Sequence, residues 1–301
     1  MSYRGMSLCI HPAATSNGTA NRLTRRSDGQ TIRDGPITND DDVTMMIKTL
    51  ATCLFLLGSP PRTGALAASA QSQPSTALLR LQYFDIKGVA ETSRVLLALG
   101  GEEYDDARYK IDPTTFTSPE FLEAKMNGDL KMNLNRAPIL VTDTGRKIGQ
   151  SKAIERFLAR RFGLMGETPV DEAIIDCIAE HCRDVKDAAR LKGFSKFTKN
   201  KTDEDKARDR KEWFETDMPK LLGNIEDAIA ETSSSPGFSF GSVPTYGDVV
   251  IWALLRDCSP DDIEDTAKAA EKCKALNAIA DQIASNPRVS KWLHERPQTI
   301  V

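Results

Sequence analysis

Residues 78–101 read LLRLQYFDIKGVAETSRVLLALGG, and the fold turns on them. Positions 78–84 alternate and end in two aromatic residues, which predicts a strand. Positions 90–99 carry a helical pattern that Gly100-Gly101 stops. Further along, 104–109 reads as a second strand, and 112–135 as irregular chain with a short helix over 119–126. A third strand follows at 137–142, then a hairpin turn at Asp143-Thr144-Gly145 and a short return strand at 147–149. From 151 to 162 the apolar residues fall at 154, 157, 158 and 162, a helical stripe. The order is βαβ followed by ββα, which predicts a three-layer α/β domain over 78–163.

Beyond a linker at 163–169 no strand pattern recurs. Helical patterns run over 171–198, 203–231, 245–256, 262–284 and 288–295, so 164–301 reads as an all-α bundle. Pro219 should kink or interrupt the second of these helices, because it lacks the N–H that an inner helical turn uses. Thr245 and Asp248 have capping-box spacing at the start of the third, a structural feature with no chemistry attached.

Composition removes many functions. The chain has 301 residues, 28% of them charged and 40% hydrophobic, with a net charge of -3. That balance argues against a nucleic-acid partner, which favours a basic excess. No apolar run reaches the roughly 18 residues that a spanning helix needs. The six cysteines form no CxxC, the three histidines form no cluster, and neither dinucleotide nor P-loop glycine fingerprints occur. No metal is expected.

Residues 1–77 differ from the rest. They carry seven basic and five acidic residues, against 33 and 38 in 78–301. The part up to Asp42 is polar and without period, which predicts disorder. Residues 45–70 then combine a lysine, a short apolar run around Leu54-Phe55-Leu56-Leu57 and two small-residue A-x-A triplets, a signal-peptide pattern. Its distance from Met1 suggests that translation starts at Met45 or Met46. With that segment acting as a signal the protein enters the secretory route, or an organelle reached through it; otherwise it is cytoplasmic.

Five segments in order carry a resemblance: 83–91 (YFDIKGVAE), 136–140 (RAPIL), 148–160 (IGQSKAIERFLAR), 242–248 (SVPTYGD) and the closing 286–288 with 296–299. Together they resemble the cytosolic-type glutathione transferases over 78–301, closest to the sigma class, which includes glutathione-dependent prostaglandin D synthases. The resemblance implies a thioredoxin-like, mixed-sheet N-terminal domain, an all-helical C-terminal domain, and glutathione as co-substrate in a homodimer.

It also implies roles. Tyr83 would donate a hydrogen bond to the glutathione thiolate, because a free thiol near pKa 8.5 is only a few per cent ionised at pH 7. Gln150 and Ser151, where a strand turns into a helix, would take the γ-glutamyl carboxylate on free N–H groups and a hydroxyl; Ser151 alone also reads as a helix cap. Ala137-Pro138 would be a cis bond that exposes the Ala137 backbone to the cysteinyl unit. Lys125 or Arg136 would meet the glycyl carboxylate. Glu180, in the stretch 176–180, would reach the ligand's amino group across a dimer. Phe84 and Val89 would face a hydrophobic electrophile. Val89 stands where the class's prostaglandin D synthases carry an arginine, and an aliphatic side chain cannot polarise a thiolate. Three readings follow: a transferase acting on hydrophobic electrophiles, as in detoxification; a glutathione-dependent isomerase or peroxidase on oxidised lipids; or a non-catalytic binding or structural relative.

Overall fold

The computed structural model describes residues 78–299. The leader, with its signal-like segment and expected internal start, lies outside the described residues. Four strands, β1 (Leu79–Phe84), β2 (Tyr104–Tyr109), β3 (Ile139–Val141) and β4 (Lys147–Gly149), form one sheet in the order β2-β1-β3-β4. β1 runs parallel to β2, Leu79 opposite Tyr104 and Phe84 opposite Tyr109, and antiparallel to β3; β3 and β4 are antiparallel too. The mixed sheet is the one expected from βαβ–ββα.

Strand alternation decides which side chains reach the core. Leu79, Leu81 and Tyr83 are buried on one face of β1. They share an apolar cluster with Val95 and Leu96 of α1 (Glu91–Gly100) and Ile154 and Leu158 of α3 (Ser151–Arg161). On the other side, Phe84 packs on Phe121 of α2 (Pro119–Met126) at 4.8 Å between ring centroids, and Tyr109 completes that group. Burying a large apolar side chain of this kind contributes about 1.5–3 kcal/mol.

Next come helices α4 (Pro169–Lys192), α5 (Asp203–Glu212), α6 (Met218–Ala230), α7 (Tyr246–Leu255), α8 (Ile263–Ala269), α9 (Lys274–Ser285) and α10 (Pro287–Glu295). All ten residues of α7 are buried, with α4 and α9 packed against it. Its start is held by the expected capping box, Asp248 accepting from the backbone N–H of Thr245 at 2.7 Å.

Two helical spans differ from the sequence pattern, and a third is interrupted beside Pro219 as expected. α4 stops at Lys192 because Gly193 takes φ +69°, a left-handed C-terminal stop. The span 203–231 is interrupted by a π-helical turn at Trp213–Asp217, just before Pro219. Proline cannot donate back to the preceding turn, and the wider turn absorbs the mismatch without ending the helix. The span 262–284 is two helices, α8 and α9, separated at 270–273.

Candidate active site

Two strand-to-helix junctions border one cavity of about 630 Å³. The first joins β1 to α1 through a 3₁₀ turn at Gly88–Ala90. The Tyr83 ring is buried, and its oxygen accepts the Val89 N–H at 3.4 Å. Gly88 has φ +47°, and a Cβ there would lie 2.7 Å from that oxygen. Only glycine lets the turn pass over the hydroxyl. Gly88 and Val89 line the cavity, so the phenol sits directly behind its wall. Burial raises the Tyr83 pKa above 10, with the Val89 bond and the Arg94 charge offsetting part of the effect. Tyr83 is therefore a neutral phenol at neutral pH, able to donate its proton in a hydrogen bond and unsuited to act as a base.

Arg94 of α1, fully buried, fixes this turn. Its Nη1 donates to the carbonyls of Ile86 (2.8 Å) and Lys87 (3.3 Å) and to Glu91 (3.2 Å), while its Nε reaches Asp106 at 3.1 Å. Glu91 in turn accepts from Trp292 Nε1 (2.9 Å) and Arg296 Nη1 (2.8 Å) at the C-terminal end. Arg296 also pairs with Asp257 at 3.4 Å, and Lys87 with the same carboxylate at 3.6 Å.

The second junction joins β4 to α3. Gln150 holds φ +66° and ψ +119°, a conformation that costs a non-glycine residue of order 1–3 kcal/mol. Asn133 keeps it there. The Asn133 Oδ1 accepts the Gln150 N–H at 3.1 Å, while its Nδ2 donates to the Pro138 carbonyl at 2.9 Å. One buried amide thus ties the cis Ala137–Pro138 peptide to the head of α3.

The structure corrects the helix-cap reading of Ser151 and spreads the other expected site residues unevenly around the cavity. Gln150, not Ser151, is the capping position of α3; Ser151 is the first helical residue, and no side-chain cap bond forms. The Gln150 N–H is taken by Asn133, so the free donors begin with Ser151. Phe84 alternates to the far face of the sheet from Tyr83 and lies in the α2 aromatic group, not beside Val89 on the cavity. Lys125 and Arg136 are exposed and outside the cavity lining; the nearest polar partner of Arg136 is the Asn133 carbonyl at 3.5 Å. Glu180 is ion-paired with Arg156 and Arg183 of its own chain. Val89, Gln150 and Ser151 do share the cavity, with Tyr83 behind it and Ala137-Pro138 joined to it through Asn133.

The remaining walls come from the helices. Arg183, Lys186, Asp187 and Arg190 of α4 line the cavity, as do residues 257–259 beyond α7. Lys152, also on the cavity, pairs with buried Glu155 at 2.9 Å, and Glu155 accepts the Tyr246 hydroxyl at 2.8 Å. Asn133 had no local signature, since it acts on a residue 17 positions away. The basic residues 183, 186 and 190 did have one: their spacing places them on one helix face. Among the described residues no three His, Cys, Asp or Glu side chains gather into a metal site, and no helix is long and apolar enough to cross a membrane.

Family models match both parts of this architecture. Glutathione S-transferase, N-terminal domain, matches 79–160, and Glutathione S-transferase, C-terminal domain, matches 190–296. The chain belongs to the glutathione S-transferase family. Glutathione S-transferase 3 of Caenorhabditis elegans is 29% identical over 224 residues, which is 73% of this chain and 97% of the relative. Hematopoietic prostaglandin D synthase of Gallus gallus is 29% identical over 241 residues, 74% of this chain and 98% of its own. Among solved structures, the monomeric glutathione S-transferase Na-GST-3 of Necator americanus superposes with a TM-score of 0.60 at 26% identity, over 75% of this chain and 100% of that one.

Proposed function

We propose that this protein is a glutathione transferase that adds the glutathione thiolate to an electrophile, with 78–163 holding glutathione and 164–301 closing the site. The observation that carries this is the meeting of the Tyr83 hydroxyl, behind Gly88 and Val89, with the Gln150-Ser151 head of α3 on one cavity. The phenol donates to the sulfur. Its oxygen already accepts the Val89 N–H, which polarises the O–H further. A bond to an ionised acceptor contributes about 1.5–3 kcal/mol, so one such bond lowers a thiol pKa by about one to two units. The Ser151 N–H and hydroxyl take the γ-glutamyl carboxylate at the positive end of α3. The Ala137 backbone makes no hydrogen bond among the described residues and pairs with the cysteinyl unit.

Val89 favours general conjugation over the isomerase reading. Its half-exposed aliphatic side chain puts no charge beside the sulfur. The dimeric state belongs to this proposal as well, and light scattering on the purified protein decides it.

The test compares wild type with Tyr83→Phe using 1-chloro-2,4-dinitrobenzene. The expected loss in kcat/KM is about 10- to 100-fold, the equivalent of one charge-assisted bond, with retention on immobilised glutathione preserved. Equal rates in the two proteins would remove Tyr83 from the mechanism. No turnover by either, with glutathione still bound, would support a binding protein.

A further inference from the structure

The helical wall of the cavity is unusual for a site that takes an apolar partner. α4 presents Arg183, Lys186 and Arg190 to it, at i, i+3 and i+7 on one face. Lys87 and Lys152, from the two strand-to-helix junctions, line it as well. Five cations thus line the cavity, and only two carboxylates, Asp187 and Asp257, line it with them.

The pairing is uneven. Lys87 has Asp257, Lys152 has Glu155, Arg183 has Glu180 and Arg190 has Asp187. Asp257 and Glu180 are each shared with a further arginine, Arg296 and Arg156. Lys186 is different. Its ammonium donates to the Ala253 carbonyl at 3.1 Å, a neutral acceptor, and it has no carboxylate partner among the described residues. Burial and repulsion from Lys152 hold its pKa below the ordinary lysine value, and the charges of Asp257 and Glu155 offset part of that.

Filling such a cavity with a purely apolar molecule removes water from an unpaired ammonium, which is unfavourable. An anionic group set against Lys186 reverses the sign of that effect, and the two flanking arginines add to the attraction. In the transferase reading, glutathione's γ-glutamyl end is taken at the head of α3, which leaves this cation face without an assigned partner. We infer that the electrophile accepted by this cavity carries a carboxylate, which docks on the Arg183–Lys186–Arg190 face of α4 with Lys186 as its principal partner. The inference rests on the transferase reading of the cavity and names the substrate class for it.

The experiment uses two aryl halides of one shape, 4-chloro-3,5-dinitrobenzoate and its neutral carboxamide. For each, kcat/KM with the full chain is divided by the uncatalysed rate with glutathione. Wild type is expected to favour the benzoate by at least about 10-fold on this scale, and the preference should shrink as salt rises from 50 to 300 mM, about the range over which screening grows. Lys186→Met should bring the preference close to one, through the KM for benzoate and not the KM for glutathione. Lys186→Arg should keep it. Equal enhancement of the two halides by wild type overturns the inference while leaving the transferase reading intact. So does a Lys186→Met effect confined to the KM for glutathione, which would assign the cation to the co-substrate. No turnover of either halide overturns both.

Discussion

Asn133 illustrates how one side chain can organise a site it does not enter. Its amide uses both ends, donating to the Pro138 carbonyl and accepting from the Gln150 N–H. Gly149 packs so closely on it that a Cβ there would lie 2.8 Å from the Asn133 Cβ. Asn133→Ala removes one buried and one part-buried hydrogen bond and leaves both backbone partners unpaired. The expected cost is about 1–3 kcal/mol of stability, measured by denaturant unfolding. A raised KM for glutathione should accompany it, because Gln150 loses what holds it at positive φ. A variant with unchanged stability and unchanged KM would show that β4 and α3 alone fix this turn.

At the level of elements, much of the architecture was legible. The strands β1, β2 and β4 and the helices α2 and α10 fall where periodicity and turn residues put them, because each carries its own stop signal nearby. Long-range causes were not legible. Nothing local shows that Pro219 is met by a π-helical turn, or that 262–284 divides, since both depend on packing against other helices. The same holds for the site. Tyr83, Gln150 and Ser151 sit in short motifs, so the resemblance alone could bring them forward as candidates. Nothing local shows that Glu180 pairs with Arg156 or that Phe84 packs on Phe121, since those neighbours are distant in sequence.

The β1–α1 turn is the element most exposed to a single change. Arg94 carries its carbonyls, and Glu91 and Asp106 rely on the same guanidinium. Arg94→Met leaves buried Glu91 without its nearest cation on α1. Breaking one partner of a buried pair costs about 3–5 kcal/mol, so a large drop in melting temperature is expected. Amide hydrogen exchange should show the greatest loss of protection at 86–91. A variant as stable as wild type would mean that Arg296 and Trp292 suffice to hold Glu91.

Over the whole molecule, four tyrosines share one electrostatic condition. Burial raises the pKa of Tyr83, Tyr104, Tyr109 and Tyr246 above the ordinary value of 10. In each case the folded state holds the proton more tightly than the unfolded chain. Their contribution is intact below pH 10 and is lost as pH rises from there through the folded values. Unfolding free energy should therefore fall between pH 9.5 and pH 11.5, a range set by that about pH 10 onset. A flat profile across this interval would contradict the burial assigned to these phenols.

The closing contacts also couple the two parts of the described chain. α10 reaches α1 through Trp292 and Arg296 on Glu91, one turn from Val89 and the Tyr83 hydroxyl. The Tyr83 phenol is thus braced by the last helix of the fold as well as by its own strand. The central claim is that this phenol stabilises a thiolate, and the ionisation of bound glutathione tests it most directly. Thiolate absorbance in the ultraviolet is titrated with pH in the binary complex, for wild type and Tyr83→Phe. The wild-type thiol pKa should lie about one to two units below the free value of about 8.5, and return to about that value when the hydroxyl is removed. The same depressed pKa in both proteins would contradict that claim.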